Sequence, residues 1–159
     1  MKRLALAVAI LIALAMPAWA DFQAGKAAYF SGDYATAFRE FEPLAEQGVA
    51  LAQFSLGFMY EKGQGVPQDY AEAVKWYRKA AEQGHGEAMN NLSLMYSHGR
   101  GVPQDYVRAH MWFNLAASRL PPGKVRDDAV FNRDSLARLM TPEQIAEAQR
   151  LAREWKRKR

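Results

Sequence analysis

Apolar residues recur along this chain in two alternating sets, and the whole arrangement comes back after 36 residues. Ala52, Leu56, Met59 and Tyr60 stand at i, i+4, i+7 and i+8, the spacing that gathers side chains on one face of a helix. Tyr70, Ala73, Val74, Tyr77, Ala80 and Ala81 make a second such face, with alanines that let two helices approach closely. The pair returns as Ala88, Leu92, Met95 and Tyr96, then Tyr106, Ala109, Phe113, Ala116 and Ala117. Laying 49–84 on 85–120 gives 15 identical positions in 36, Trp76 and Trp112 among them. A fixed period of this size marks stacked supersecondary units that hide each other's apolar faces. The predicted fold is therefore an all-α repeat array.

Between the two faces of each pair lies a polar, turn-rich string, Gly-Gln-Gly-Val-Pro-Gln-Asp-Tyr at 63–70 and Gly-Arg-Gly-Val-Pro-Gln-Asp-Tyr at 99–106. Gly63 and Gly99 follow helical patterns, where a left-handed C-terminal cap favours glycine. Gly65 and Gly101 permit a further bend, and Pro67 and Pro103 disfavour helix at the preceding valine. Asp69 and Asp105 are placed to cap the next helix. Glu72, three residues after Asp69, predicts a reciprocal capping box; Arg108 stands there in the second copy, so only one box is expected.

The flanks are less regular. Residues 22–48 read as a diverged first helix pair, with helices near 22–30 and 33–47 and only Ser31-Gly32 between them. Pro121-Pro122-Gly123 ends the regular part. A charged helix at 124–140 follows, with Leu136, Leu139 and Met140 its clearest apolar positions. Thr141-Pro142-Glu143-Gln144 is a strong helix start, and Ile145, Ala148, Ala152 and Trp155 share a face of the last helix. The pair at 121–156 suits an atypical, polar end to the array, and 157–159 is a basic tail.

At the other end, Met1-Lys2-Arg3, an apolar run from Leu4 to Met16, Pro17 and Ala18-Trp19-Ala20 predict a secretory signal at 1–20, cleaved after Ala20; an uncleaved anchor is the alternative. The run is short for a membrane span, which needs about 20 residues, and the chain has no cysteine to acylate. The expected location is periplasmic or secreted, with 21–159 as one domain and no stable membrane span after cleavage. Losing Lys2 and Arg3 lowers the formal charge from +4 to +2, too little for a general pull toward nucleic acid. With no cysteine to form a disulfide, stability must come from packing, and 50% apolar residues suffice for it.

The motif Ala-x-x-x-Leu-x-x-x-Tyr through Gly-x-Gly-Val-x-Gln-Asp-Tyr to Trp-(Tyr/Phe)-x-x-Ala-Ala, at 52–81 and again at 88–117, resembles the Sel1-like repeat family of tetratricopeptide-like α-solenoids. Residues 133–155 look like the ending of many secreted bacterial members. Ser93 departs from the pattern where the previous unit has Gly57, which predicts a slightly looser helix contact, and Leu120 departs where it has Gly84. The resemblance implies a right-handed superhelix of about eight helices. It also implies a non-catalytic adaptor that binds protein partners, often in envelope processes. Secreted, disulfide-rich relatives are linked to β-lactam or peptidoglycan binding, and this chain has none of their cysteines. A module that binds a peptidoglycan-type ligand, or regulates a cell-wall enzyme, is the alternative function.

Catalytic and cofactor chemistry finds little support. The Gly-x-Gly strings follow helices rather than strands and lack the third glycine of a dinucleotide fingerprint. His85, His98 and His110 have no metal-ligand spacing, and a capping or surface place is expected for them. Asp69 and Asp105 sit one repeat apart, too far for a carboxylate pair. No nucleophile motif is present. No enzyme, cofactor or metal is expected. In solenoids of this kind the first helix of each pair lines the concave face. Phe54, Phe58, Glu61 and Lys62 stand there in one unit, and Asn90, Leu94, Ser97 and His98 in the next. These eight are the candidate contacts for an envelope protein or peptide segment, with Phe54 and Phe58 exposed or covered by the first helix pair. The basic tail, with Arg150 and Arg153, is a solvated end or a contact to an anionic envelope surface.

Overall fold

Loop chemistry decides where each helix stops, and the helices then stack in order. The computed structural model describes residues 19–157, and among them it has eight helices and no strand. They are α1 (19–30), α2 (Tyr34–Glu46), α3 (Ala50–Lys62), α4 (Tyr70–Glu82), α5 (Gly86–His98), α6 (Tyr106–Arg119), α7 (Lys124–Ala137) and α8 (Pro142–Arg157). The chain is an all-α solenoid. Each helix from α2 to α6 packs on its successor, and α6 carries both α7 and α8. The expected signal segment lies outside the described residues up to 18. Trp19 and Ala20 are helical and continuous with α1. Lys158 and Arg159 of the tail also lie outside.

The repeated loops are closed on themselves. Gly63 and Gly99 end α3 and α5 in the left-handed region, both at φ 65°, and donate their N–H to Met59 O and Met95 O. Gln68 Nε2 donates to Glu61 O at 2.8 Å, and Gln104 Nε2 to Ser97 O at 2.8 Å. Each glutamine thereby ties its loop back to the helix it left. The Asp69 and Asp105 carboxylates accept from the first turns of α4 and α6, at Ala71 N, Glu72 N and Arg108 N. The predicted Asp69/Glu72 box is only half formed. The Asp69 N–H is already taken by Tyr60 O, and Glu72 turns to Lys75 instead, at 3.0 Å. The box at α8 is complete: Thr141 N donates to Gln144 Oε1 and Gln144 N to Thr141 Oγ1.

Gly101 does more than bend. It has φ 70°, and a Cβ on it would overlap the main-chain carbonyl of Tyr70, one unit earlier. Inside the first two pairs the approach is also close. A Cβ on Gly57 would lie 2.6 Å from Tyr77 Cδ1, and one on Gly25 would lie 2.7 Å from Phe41 Cε1. Rings of the second helices thus seat directly on the backbone of the first.

Two clusters of buried side chains result. Ala37, Phe41, Leu44, Ala52, Leu56 and Met59 pack with Trp76, so this tryptophan belongs to the core of α2 and α3. The larger cluster joins α4–α8 around Tyr77, Leu92, Phe113 and Leu115, with Trp112 edge-on to Trp155. Tyr60 touches both clusters. Tyr60 and Tyr96 each face the second helix of the preceding pair: the first meets Phe38 of α2, and the second accepts from Arg78 of α4. Leu136 and Met140 are buried as expected, whereas Leu139 is 68% exposed.

Gly48 (φ 93°) and Gly101 both hold left-handed backbone, but only Gly101 faces main chain. Gly48→Ala is expected to cost about 1–2 kcal/mol, the backbone penalty alone. Gly101→Ala is expected to cost a further ~1–3 kcal/mol, because α4 must shift to admit the methyl group. Urea unfolding midpoints of the two variants check the difference.

Candidate functional site

The face built by α1, α3, α5 and α7 carries three adjoining hollows. The first, about 600 Å³, lies between α1 and α3, and its walls include Phe22, Tyr29, Phe30, Phe54 and Phe58. The second, about 230 Å³, lies between α3 and α5, with Phe58, Glu61, Lys62, Leu94, His98 and Arg100. The third, about 340 Å³, lies between α5 and α7, with Leu94, Ser97, His98, Leu136 and Leu139 among its walls. Phe58 is shared by the first and second, Leu94 and His98 by the second and third, so the hollows form one groove.

Seven of the eight residues singled out from the sequence line this groove. Asn90 lines none of the three hollows; it is half-buried, and its Oδ1 has no hydrogen-bond partner. Phe54 and Phe58 are neither bare nor covered: both are half-buried. Phe54 stacks on His85 at 4.9 Å and leans on Tyr77. Phe58 meets Tyr29 edge-on at 6.4 Å and carries Lys62 Nζ 5.4 Å above its ring. Each ring has one side on the core and the other on the groove.

Glu61 is the fixed charge of the groove. Its Oε2 accepts from Tyr77 OH at 2.7 Å, and its Oε1 pairs with Lys62 at 2.9 Å. Tyr77 OH also accepts from Asn91 Nδ2 at 3.1 Å. Burial, and then the Glu61 carboxylate, push the Tyr77 hydroxyl far above the usual phenol range, so it stays a donor at any working pH. Arg100 has no ion pair among the described residues; its guanidinium sits 5.9 Å from the Tyr70 ring. Lys26, on the rim of the first hollow, likewise meets only the Phe30 ring, at 6.0 Å. Charges of both signs thus line the first two hollows: Lys26 and Glu87 in the first, Glu61, Lys62 and Arg100 in the second.

The histidines differ from one another. His85 caps α5, its Nδ1 accepting from Ala88 N at 3.2 Å. His98 is exposed, with Nδ1 2.8 Å from Leu94 O. His110 departs from the expectation of a cap or surface place. It is 5% exposed, and its Nδ1 has no partner. It occupies the position that holds Phe38 and Val74 in the earlier units, which is a core position. Burial lowers the pKa of both His85 and His110. Among the described residues no cluster of three or more histidines and carboxylates is placed to hold a metal ion. In the loops the polar groups of Gln68 and Gln104 are spent on holding the turn closed. In the tail, Arg150 is bound to Glu147 and Glu154.

Sequence reasoning missed the contribution of α1. Phe22, Lys26, Tyr29 and Phe30 supply one wall of the largest hollow. The adjacent aromatics Tyr29-Phe30 at the end of a helix were the available signal. The shorter loop after them broke the 36-residue alignment that marks equivalent positions.

The model of the Sel1 repeat matches residues 50–85 and 86–119. Among solved structures, a protective antigen present in uropathogenic Escherichia coli strains and displaying an SLR fold is similar at 31% identity and a TM-score of 0.79. That match covers 87% of this chain and 29% of the antigen. A Sel1 repeat protein from Oxalobacter formigenes is similar at 38% identity and a TM-score of 0.57, over 62% of this chain and 39% of that one. The chain thus spans well under half of either structure. No curated protein matches it. Among the described residues no helix is long and apolar enough to cross a membrane.

Two outcomes follow from this chemistry. Tyr77→Phe is expected to keep the fold, since Phe113 fills the equivalent place. It is expected to destabilise by about 1–2 kcal/mol, because Glu61 and Asn91 lose their partner; thermal unfolding of the variant tests this. His85 and His110 have folded pKa values below their unfolded ones, so the unfolded state binds more protons in that window. Their stabilisation is present above the ordinary histidine pKa and is lost as pH falls below it. The urea midpoint should drop between pH 7 and pH 5, and His110→Phe should flatten that drop.

Proposed function

The chain is a Sel1-like repeat protein, and on that premise we propose that it is a non-catalytic adaptor of the bacterial cell envelope. Sel1 repeat proteins are generally protein–protein interaction scaffolds, and their fold is typically without catalytic activity. In this reading the chain is exported through the segment at 1–20, and 21–159 acts as a single repeat domain. A partner protein lies along the face of α1, α3, α5 and α7, in contact with Phe54, Phe58, Glu61, Lys62, Leu94, Ser97 and His98. The observation that carries the reading is the continuity of the three hollows, each bounded by a half-buried apolar side chain shared with its neighbour or by the α1 aromatics. Rings that are half core and half groove offer rigid apolar area to a partner without loss of side-chain entropy on binding.

Photo-crosslinking in the native host tests this. A photoreactive residue replacing Leu94 is expected to capture a discrete protein adduct, and one replacing Lys79, on α4, is expected to capture none. Phe58→Ala in the same chain should reduce the Leu94 adduct several-fold. Equal capture from both positions, or an adduct indifferent to Phe58→Ala, would remove the groove from consideration. Binding of purified muropeptides with no protein adduct would favour a cell-wall ligand instead.

A further inference from the structure

Away from the groove, the seam between α6 and the last two helices holds a polar hollow of about 380 Å³. Its walls include His110 and Asn114 of α6, Arg133 and Asp134 of α7, and Ile145 and Gln149 of α8. His110 is only 5% exposed, and its Nδ1 is buried with no hydrogen-bond partner. One helical turn on, Asn114 Oδ1 accepts from Arg133 Nη1 at 3.4 Å. Arg133 Nε and Nη2 pair with Asp134 Oδ1 at 2.9 and 2.8 Å. Arg133 and Asp134 are the charged groups of the wall; α8 brings only Ile145 and Gln149 to it.

The closed seam suits only the neutral ring. A neutral imidazole has one donating and one accepting nitrogen, whereas the cation donates from both and accepts from neither. Protonating His110 in place therefore puts a charge where Nδ1 already lacks a partner. The Arg133 guanidinium adds like-charge repulsion. Asp134, the nearby countercharge, is bound to Arg133 and 55% exposed, so water screens it. Burial first, and then Arg133, hold the ring's pKa below the usual histidine value, while Asp134 acts the other way.

The two helices beyond the seam have a hinge. α7 and α8 pack chiefly on α6, and α2–α6 stack in sequence without them. Residues 121–128 are exposed throughout, and Gly123 takes φ 144° with nothing within 4 Å of where a Cβ would stand. α7 starts there without a side-chain cap. Elements at the end of a repeat array contact one neighbour only, so they open at lower free energy than the middle. Buried Leu136, Met140, Ala148 and Ala152 keep the closed form dominant. We propose that His110 is a pH-dependent latch for the α7–α8 pair: when it is protonated, the pair swings from α6 about Gly123 and the imidazolium is hydrated. The motion uncovers the side of Trp112 that meets Trp155, and it removes the α7 wall of the third hollow. The latch stands whether or not a partner lies in the groove.

Hydrogen exchange of the purified full chain, read helix by helix by mass spectrometry, tests the latch. With a histidine pKa of about 6.5 in the open seam and a lower one in the closed seam, the opening equilibrium rises by up to about tenfold between pH 7.5 and pH 5.5. After correction for the intrinsic pH dependence of exchange, α7 and α8 are expected to lose protection by about five- to tenfold over that range, and α3 and α4 by less than about twofold. His110→Gln, which stays polar without titrating, is expected to leave the protection of α7 and α8 flat with pH. His110→Phe, which restores the residue type found at Phe38, is expected to be equally flat, so either variant that folds serves. Unchanged protection in α7 and α8 of the unsubstituted chain overturns the latch, and so does an equal loss in every helix. A loss confined to α7 and α8 that persists in either folded variant overturns it as well, because the titrating group then lies elsewhere.

Discussion

The structure depends on one contact made repeatedly: an aromatic ring on the second helix of a pair pressed against a residue with almost no side chain on the first. Phe41 lies on Gly25 and Tyr77 on Gly57, each so close that a methyl group would collide. Close approach of this kind raises dispersion contact per ring and fixes the distance between the two helices. Once that distance is set, the alanines at 73, 80, 81, 109 and 116 are all fully buried. The groove is a by-product of the same rule. The small residue faces inward on the first helix, so the larger side chains of that helix, Phe54 and Phe58, are turned partly outward.

The two matched units solve one problem in two ways. In the first, Gly57 admits a tyrosine whose hydroxyl needs a partner, and Glu61 supplies it. In the second, Ser93 takes the glycine's place, Phe113 the tyrosine's and Ser97 the glutamate's. The Ser93 hydroxyl turns back onto Met89 O at 2.7 Å, and it is fully buried. The polar changes thus go together: losing the buried phenol removes the need for a buried carboxylate. One consequence is electrostatic, since the carboxylate near the middle of the groove belongs to one unit only.

Much of this was legible in the amino-acid order. The repeat fixed the pairing of helices, and glycine, proline and aspartate marked the turns, because each acts through its own backbone and needs no distant partner. The Glu72 box failed for the opposite reason: the Asp69 N–H it needed was claimed by Tyr60 O, across the loop. His110 was misread because a polar residue at an apolar position gives no local sign of how deeply it is buried; only its alignment with Phe38 and Val74 does so. The wall supplied by α1 was hidden by a four-residue difference in loop length, which shifts every equivalence before residue 33. Seven of eight groove residues were legible because they needed only the identity of the first helix and its outward face.

The loops carry a consequence of their own. Gly65 rests on the main chain of Tyr34 and Gly101 on that of Tyr70, so neighbouring units interlock through atoms that every amino acid possesses. This part of the join is therefore indifferent to side chains, while Trp76 and the Arg78–Tyr96 bond add side-chain contacts between units. A unit copied in frame keeps this backbone contact with its neighbours on both sides. Length in this architecture is then free to drift by duplication while the exposed side chains diverge.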